Sequence, residues 1–365
     1  MTRVLFISQY LNRNGTEAFM MNVFRGIDHS QFQVDFLLYS WNETDYSREV
    51  EKMGGRIYRV PSRRQSPFKW YHSLNEFFKK HASEYQAIHF CGNSLTSIAP
   101  IWFAYRYHIP VRIVHAHSSS ARGLHNRLLH CLKRKIAYQI STHHLACSKL
   151  AAQWFFGKED SVIIRNGIDI ERYSYDEKRR KQCRNMLSIG SDEVVIGHVG
   201  RFTSEKNHLF IIDVFSEFHK KHGQSKLMLV GIGELQEDMK RKVDEMNLAD
   251  QVLFMGERSD VNLLMQGMDL FLMPSVFEGL PFVLVEAQAA GLPCLISDVI
   301  SKDVCITDQI HYRSLKDSTD LWADTIDGII SNSVRHKTDE EMIQSEYSIK
   351  TSMDYIQSIY NQSIV

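Results

Sequence analysis

Residues 273–296, M-P-S-V-F-E-G-L-P-F-V-L-V-E-A-Q-A-A-G-L-P-C-L-I, constrain the fold more tightly than any other stretch. The apolar run up to Leu272 reads as a buried strand, Pro274 to Gly279 break it, a helix follows Pro281, and Gly291 ends that helix before a second strand. Pro281 is expected at the first helical position, where its preset φ suits a helix and its missing N–H leaves nothing unsatisfied. Around the helix start, the N–H groups of Gly279, Leu280 and the residues just after Pro281, Phe282 among them, converge on one point. With the helix dipole behind them they make an anion site, phosphate being the usual guest. Two carboxylates flank it, Glu278 in the loop and Glu286 about two turns into the helix, tilted back toward its start. Carboxylates repel phosphate but accept hydrogen bonds from hydroxyls, so a ligand with both phosphate and diols, a nucleotide sugar, satisfies the arrangement. The plain alternative is an ordinary βαβ turn with two solvated glutamates.

The same segment, P-S-V-F-E-G-L-P-F-V-L-V-E-A, resembles the E-x7-E signature of the retaining glycosyltransferases of family 4. The Pro-Ser before the first Glu, the Gly-x-Pro after it and the Ala after the second Glu all agree. That resemblance implies an α/β chain of the GT-B fold: two Rossmann-like doubly wound parallel-sheet domains, a cleft between them, and a last helix that crosses back.

The rest of the chain has the alternation this requires. Apolar strand patterns start at Val4, Val34, Arg56, Ala87, Val111, His144 and Ser161, with amphipathic helical patterns between them. The turn I-I-R-N-G-I-D at Asn166, Gly167 and Asp169 resembles those leading into a GT-B interdomain linker. A charged run follows, and the alternation restarts at Val194, Lys226, Val252, Leu270 and Pro293. Expected domains are therefore 1–170, joined by a returning helix over 347–365, and 171–346. At the C-terminal end, Ile349, Met353, Ile356, Ile359 and Tyr360 form a helical stripe.

Composition narrows the classes. With 43 basic and 43 acidic side chains the formal charge is zero, so no global affinity for polyanions follows, and no aromatic-basic interleaving suggests nucleic acid. Six scattered cysteines without a C-x-x-C pair suit buried thiols in a reducing compartment, hence a cytoplasmic protein. No signal peptide or membrane-spanning run is expected. The charge is nevertheless uneven. Between Glu84 and Glu159 there is no carboxylate, while Arg106, Arg112, Arg122, Arg127, Lys133, Arg134, Lys135, Lys149 and Lys158 fall in that interval. Leu124, Leu128 and Leu132 lie among them, either packed inward from a solvated helix or presented to an anionic membrane.

Several loops carry candidate site residues. N-R-N-G-T-E after the first strand offers Gly15 and Thr16 at a helix start; family 4 members usually have Gly-Gly, and Asn14 replaces the first. Alternation along V-R-I-V-H-A-H puts His115 and His117 on one face, His117 nearer the strand's carboxyl end. In G-R-F-T-S-E-K-N-H, Arg201 supplies a planar fork and Lys206 a compact charge, as a diphosphate requires, or both are plain surface cations. G-I-G-E at 231–234 lacks the third glycine of a dinucleotide fingerprint.

The resemblance assigns further roles. Arg201 and Lys206 match the family's diphosphate-binding pair, Glu257 and Arg258 its nucleobase-reading loop, and His117 the histidine that approaches the donor sugar. Glu286 would hold the ribose, and Glu278 the donor hydroxyls. Expected partners are a nucleotide-diphosphate sugar, with UDP as the carrier, and a glycan or polyprenyl-diphosphate-linked acceptor of exopolysaccharide or capsule synthesis. No metal or other cofactor is expected, since no D-x-D motif or metal-ligand spacing occurs. A GT-B nucleotide-sugar epimerase and a non-catalytic nucleotide-sugar binder are the alternatives, because fold does not fix function.

Overall fold

A computed structural model describes residues 1–12, 15–120, 123–278 and 281–362. Two compact units emerge, one made of Met1–Asp169 with Glu346–Val365 and the other of Ile170–Ser345. In the first, β1 (Thr2–Ser8), β2 (Phe32–Leu38), β3 (Ile57–Arg59), β4 (Ala87–Gly92), β5 (Val111–Ala116), β6 (His143–Ala146) and β7 (Val162–Ile163) form a parallel sheet of order β3-β2-β1-β4-β5-β6-β7. The central strands are apolar on both faces because helices cover both. Along β1, Leu5 and Ile7 enter one core and Val4 and Phe6 the other, as period-two alternation demands.

The second unit repeats the plan with β8 (Val194–Val199), β9 (Ser225–Val230), β10 (Val252–Gly256), β11 (Leu270–Met273), β12 (Cys294–Ser297) and β13 (Ile310–Arg313), in the order β10-β9-β8-β11-β12-β13. The sequence reading missed β13, whose four residues, Ile-His-Tyr-Arg, are only half-buried and too polar to read as a strand. At β8, Ile196 and Val195 again point into opposite cores. The charged run after the linker forms the helix Glu177–Met186, capped by Asp176, whose carboxylate accepts from the N–H groups of Lys178 and Arg179. From it, Arg180 and Arg184 reach Asp269 at 2.6 and 3.2 Å.

Helix Ile349–Tyr360 belongs to the first unit. Its stripe Ile349, Met353, Ile356, Ile359 and Tyr360 is buried with Phe24 and Val34. Entry is set by a short parallel bridge between Ile168 and Ser348, with Ile168 N donating to Tyr347 O at 2.8 Å and Ile349 N to Ile168 O at 3.0 Å. Gly167 has to be glycine here, because a Cβ would come within 2.7 Å of the Ile349 Cα. Deeper in, the Tyr360 hydroxyl meets His89 Nδ1 at 2.7 Å, both residues being fully buried.

Of the cysteines, Cys91, Cys183 and Cys294 are buried, Cys147 half-buried, and Cys131 and Cys305 exposed, and all six are free thiols. The expectation of buried thiols holds for half of them. Cys131 lies on the exposed face of the helix Leu124–Ile140.

Tyr360→Phe should leave the buried His89 Nδ1 without its partner and cost about 1–3 kcal/mol. The change should appear as a lower urea midpoint at unchanged slope. Tyr355→Phe on the exposed side of the same helix should move the midpoint by less than about 0.5 kcal/mol equivalent. Equal effects of the two substitutions would show that the Tyr360–His89 bond contributes nothing.

Candidate active site

In the second unit the candidate residues come from the carboxyl ends of β8, β10 and β11, with the loop after β9 packed against the first of these. After β8, residues 200–203 lead into a short turn Ser204–Lys206, and Asn207, at φ 59°, redirects the chain into the helix His208–Lys221. This loop is laced to its neighbours through the backbone. Phe202 N donates to Ile232 O at 3.1 Å, and Leu235 N to Phe202 O at 3.1 Å. Such proximity requires glycine: a Cβ on Gly231, whose φ is +139°, would lie 2.1 Å from Gly200 O, and one on Gly233 would lie 2.5 Å from Phe202 O. The G-I-G sequence thus has a packing reason that its spacing alone did not reveal.

On the other side, Val276 N donates to Glu205 O at 2.9 Å, and Asn207 Nδ2 to Pro274 O at 3.1 Å. The β8 loop and the loop before the E-x7-E helix are therefore one rigid assembly. Within it Lys206 Nζ meets Glu278 Oε1 at 2.6 Å, with side chains only 21% and 11% exposed. The two residues expected to serve diphosphate and sugar separately are paired with each other. Arg201 is exposed and makes no ion pair among the described residues. Behind the loop His208 stacks on Phe202 at 4.1 Å, and burial, aided by the Lys206 charge, pushes its pKa down to about 4. It stays neutral beside Lys206.

Pro281 is not the first helical residue. It is the N-cap, extended at φ −78° and ψ 95°, and the helix runs Phe282–Ala289. The reason is its ψ, which is far from helical, although its carbonyl accepts the first return bond, from Leu284 N at 2.9 Å. Glu286, in the second turn of the helix that starts at Phe282, is little more than one turn in, not two. Its Oε1 accepts from the Tyr173 hydroxyl at 2.8 Å, a partner the sequence did not signal. The residue keeps some surface, yet its carboxyl group is enclosed, and burial raises its pKa to about 7 against the opposing Tyr173 bond and Arg172 charge. Gly279 and Leu280 lie outside the described residues. Gly291, at φ +63°, closes the helix, and a Cβ there would fall 2.0 Å from His336 O. In the loop after β10, Glu257 is exposed, while Arg258 grips Asp260 with two bonds of 2.8 and 2.7 Å.

The first unit carries the remaining candidates. Gly15 begins the helix Gly15–Gly26, its carbonyl accepting from Asn166 Nδ2 at 3.4 Å, while Thr16 is buried with Oγ1 3.5 Å from Asn93 Oδ1. Asn14 lies outside the described residues. His117 follows β5, and neither ring nitrogen has a hydrogen-bond partner. Burial pushes its pKa down to about 3, opposed by the nearby Asn166 side chain, so the ring is a neutral imidazole able to donate at one nitrogen and accept at the other.

His115 is separated from this role by its neighbours. It is fully buried, with Nδ1 3.1 Å from His89 Nε2, and its ring lies 4.2 Å from that of His117. Tyr360 has its only hydrogen-bond partner among the described residues in His89, so its hydroxyl donates to His89 Nδ1 and His89 Nε2–H donates to His115 Nδ1. The opposite order would leave a buried phenol proton without an acceptor. Sheet register also brings Cys91 opposite His115, and the ligand atoms of His89, Cys91 and His115 lie within 4.8 Å of one another, a grouping invisible in sequence spacing. The facing imidazole nitrogens bond to each other and burial holds the Cys91 thiol well above its ordinary pKa, so this donor set suits a hydrogen-bond chain rather than a cation.

Two parallel, helix-covered sheets, each in its own unit, are the architecture of the GT-B fold. Residues 179–348 match the family described as Glycosyl transferases group 1, and residues 13–172 match Glycosyltransferase Family 4. The chain is 32% identical to the putative glycosyltransferase EpsF of Bacillus subtilis over 373 residues, covering 99% of this chain and 97% of that protein. It is 24% identical to the capsular polysaccharide biosynthesis glycosyltransferase CapH of Staphylococcus aureus, covering 91% of each. The crystal structure of Anabaena Alr3699/HepE in complex with UDP and glucose superposes with a TM-score of 0.76 at 16% identity, over 98% of this chain and 99% of that one. The chain belongs to glycosyltransferase family 4. It is an enzyme, a glycosyltransferase of polysaccharide biosynthesis.

Native Glu286 keeps its proton to about pH 7, whereas the unfolded chain releases it near the ordinary 4.5. Between those values the native state binds more protons, so this group's contribution to stability falls as pH rises through the interval and is lost above it, by about 3 kcal/mol. Glu286→Gln should accordingly gain stability relative to wild type between pH 5 and pH 8 in urea titrations. A constant difference across that range would contradict an enclosed, protonated carboxyl.

Lys206→Ala and Glu278→Gln should couple in a double-mutant cycle by about 1 kcal/mol, because each single change leaves the partner unpaired in a mostly buried setting. Additive urea midpoints would mean that the ion pair does not hold the loop.

Proposed function

We propose that the enzyme transfers a sugar from a UDP-sugar to a lipid-linked acceptor with retention of configuration, without a metal ion. The observation that carries this reading is the fused loop assembly of the second unit, which holds Arg201, Lys206, Glu278 and the start of the helix Phe282–Ala289 on one rigid backbone frame. The diphosphate takes Arg201, Lys206 and the helix N-terminus as its positive environment, each well-placed donor contributing on the order of ~3 kcal/mol as charge builds on the leaving oxygen. Lys206 moves from Glu278 to the phosphate, and Glu278 is then released to accept from sugar hydroxyls. Glu286, protonated near neutrality, both accepts from and donates to the ribose diol. His117, neutral, serves a sugar hydroxyl. The bond from the sugar's anomeric carbon to the phosphate oxygen breaks, a bond to the acceptor oxygen forms on the same face, and the acceptor's proton goes to the departing phosphate. That Anabaena Alr3699/HepE binds UDP and glucose supports UDP as the carrier.

A lipid-linked acceptor brings the enzyme to the cytoplasmic face of a membrane. No helix among the described residues is long and apolar enough to cross one. Helix Leu124–Ile140 instead turns His130, Ala137 and Ile140 inward and leaves Leu124 (73%), Leu128 (57%) and Leu132 (73%) exposed. The leucines are therefore not core, and with Arg127, Arg134 and Lys135 on the same helix they make a basic amphipathic surface of the kind that lies in an anionic interface. Not all of the basic run is on the surface. Arg112 spends its guanidinium on the carbonyls of Ile140, Ile109 and Pro110, and Arg122 lies outside the described residues.

Calorimetry with UDP and with UDP-sugars tests the donor assignment. Glu286→Gln should weaken both ligands alike, Glu278→Gln should weaken the sugar nucleotide while sparing UDP, and Arg201→Lys should lower turnover by roughly 10²-fold because a point charge cannot replace the fork. Chelation should leave turnover unchanged. Equal losses of UDP affinity in the two glutamate variants would overturn the division of roles. For the membrane, Leu124→Ser/Leu128→Ser/Leu132→Ser should abolish co-sedimentation with anionic vesicles, since each exposed basic residue adds only about 1 kcal/mol. Wild-type binding by that variant would overturn the docking surface.

A further inference from the structure

Two cations of the first unit converge on one residue. Arg63, just before the helix Pro67–His81, donates from Nη2 to Thr96 Oγ1 at 3.2 Å, and Lys133, on the helix Leu124–Ile140, donates to Thr96 O at 2.6 Å. Neither has a carboxylate partner among the described residues. Burial first, and the charge of Arg63 second, lower the Lys133 pKa, so the pair sits in a partly desolvated place where like charges feel each other. Lys133, expected from the sequence to be one of a surface cluster, is instead drawn in from it.

Arg63 also lines an open surface trough of about 440 Å³. Its walls are Arg63, Pro67, Phe68, Trp70 and Tyr71, with His72 and Asn75 at one side. Aromatic rings dominate. Phe68 is 91% exposed although it is a large apolar side chain at a helix start, Tyr71 is half exposed, and the Arg63 guanidinium lies 5.9 Å from the centre of the Trp70 ring. Trp70 is buried, yet its Nε1 has no hydrogen-bond partner. An apolar aromatic trough with Arg63 in its wall, and Lys133 held behind it on the same Thr96, has the complementarity of an amphiphile: an anionic head joined directly to a hydrocarbon chain.

We infer that this trough is a binding site for the phosphate ester of a single isoprenoid-type lipid chain, the cations Arg63 and Lys133 taking the phosphate and Phe68, Trp70 and Tyr71 the first part of the chain. The inference rests on the reading of a lipid-linked acceptor and gives that acceptor's carrier a place. It also explains why Phe68 is left in solvent.

The test uses the full chain and monomeric ligands, so that it does not depend on vesicle docking. Farnesyl phosphate below its aggregation concentration, inorganic phosphate, farnesol and dihexanoyl phosphatidylglycerol are titrated by calorimetry. Farnesyl phosphate should bind saturably and at least about tenfold more tightly than the other three. Arg63→Gln/Lys133→Gln should weaken it tenfold or more, and so should Phe68→Ser, a substitution at a side chain too exposed to support the fold. Lys79→Gln/Lys80→Gln, an equal change of charge at the far end of the same helix, should leave it unaltered. Equal affinity for the phosphatidylglycerol would overturn the carrier assignment in favour of bulk headgroup binding. Unchanged affinity in both the double variant and Phe68→Ser, with melting temperatures preserved, would overturn the site itself. Either failure can occur while the leucine variant still loses vesicle binding, so the two readings fail separately.

Discussion

The second unit depends on a steric allowance measured in tenths of an ångström: the loop after β9 can lie against the loop after β8 only because residues 231 and 233 have no side chain. That contact lets Phe202 exchange backbone hydrogen bonds with Ile232 and Leu235, which fixes the path of residues 200–203 and hence where Arg201 emerges. The same loop then reaches Pro274 and Val276 through Asn207 and Glu205. Preorganisation of this sort gives electrostatic stabilisation its value, because charged groups already in place need not reorganise when the leaving oxygen gains charge.

Burial decides the charge states around these loops. A carboxyl on a solvated helix would be ionised at neutral pH, but Glu286 is enclosed and retains its proton to about 7. Enclosure has the opposite consequence for imidazoles, holding His117 near 3 and His208 near 4. The strong charges facing solvent or one another are then the guanidinium of Arg201 and the Lys206–Glu278 pair. On the proposed reading, donor entry is an exchange of partners, in which the diphosphate replaces a carboxylate on Lys206 as the sugar's hydroxyls replace an ammonium on Glu278. Such an exchange is sensitive to ligand completeness, since a bare diphosphate leaves Glu278 unpaired.

The first unit places its unusual chemistry on two faces. Toward the returning helix lies a chain of fully buried polar groups, Tyr360, His89 and His115, stacked against Phe19 and His117. Each bond in it orients the next ring, so the final residues of the chain help define the surroundings of a candidate site residue more than 200 positions earlier. Toward solvent lie exposed Phe68 and Tyr71 and, in the stretch without carboxylates between Glu84 and Glu159, exposed Leu124, Leu128 and Leu132. A globular surface normally scatters such side chains, and the leucines' place among basic residues on one helix is what supports the proposed docking surface.

What the sequence determined by itself was the doubled α/β alternation, the strand-loop-helix of the E-x7-E segment, the returning terminal helix and the residue types available for phosphate. These are legible because period-two and period-3.6 patterns and Pro/Gly punctuation are local consequences of backbone geometry. Even there the boundary slipped by a residue: Pro281 caps the helix rather than starting it, a distinction made by its non-helical ψ. The edge strand Ile310–Arg313 was too short and polar to announce itself. Tertiary structure alone decided that Lys206 pairs with Glu278, that Tyr173 supports Glu286, that Gly231 and Gly233 admit a neighbouring backbone, and that Leu124, Leu128 and Leu132 face out while Arg112 and Lys133 turn in. Each is a contact between residues distant in sequence or a choice between two faces of one helix. Local periodicity fixes that a helix has an apolar stripe, but only the packing of the whole unit determines whether that stripe is covered.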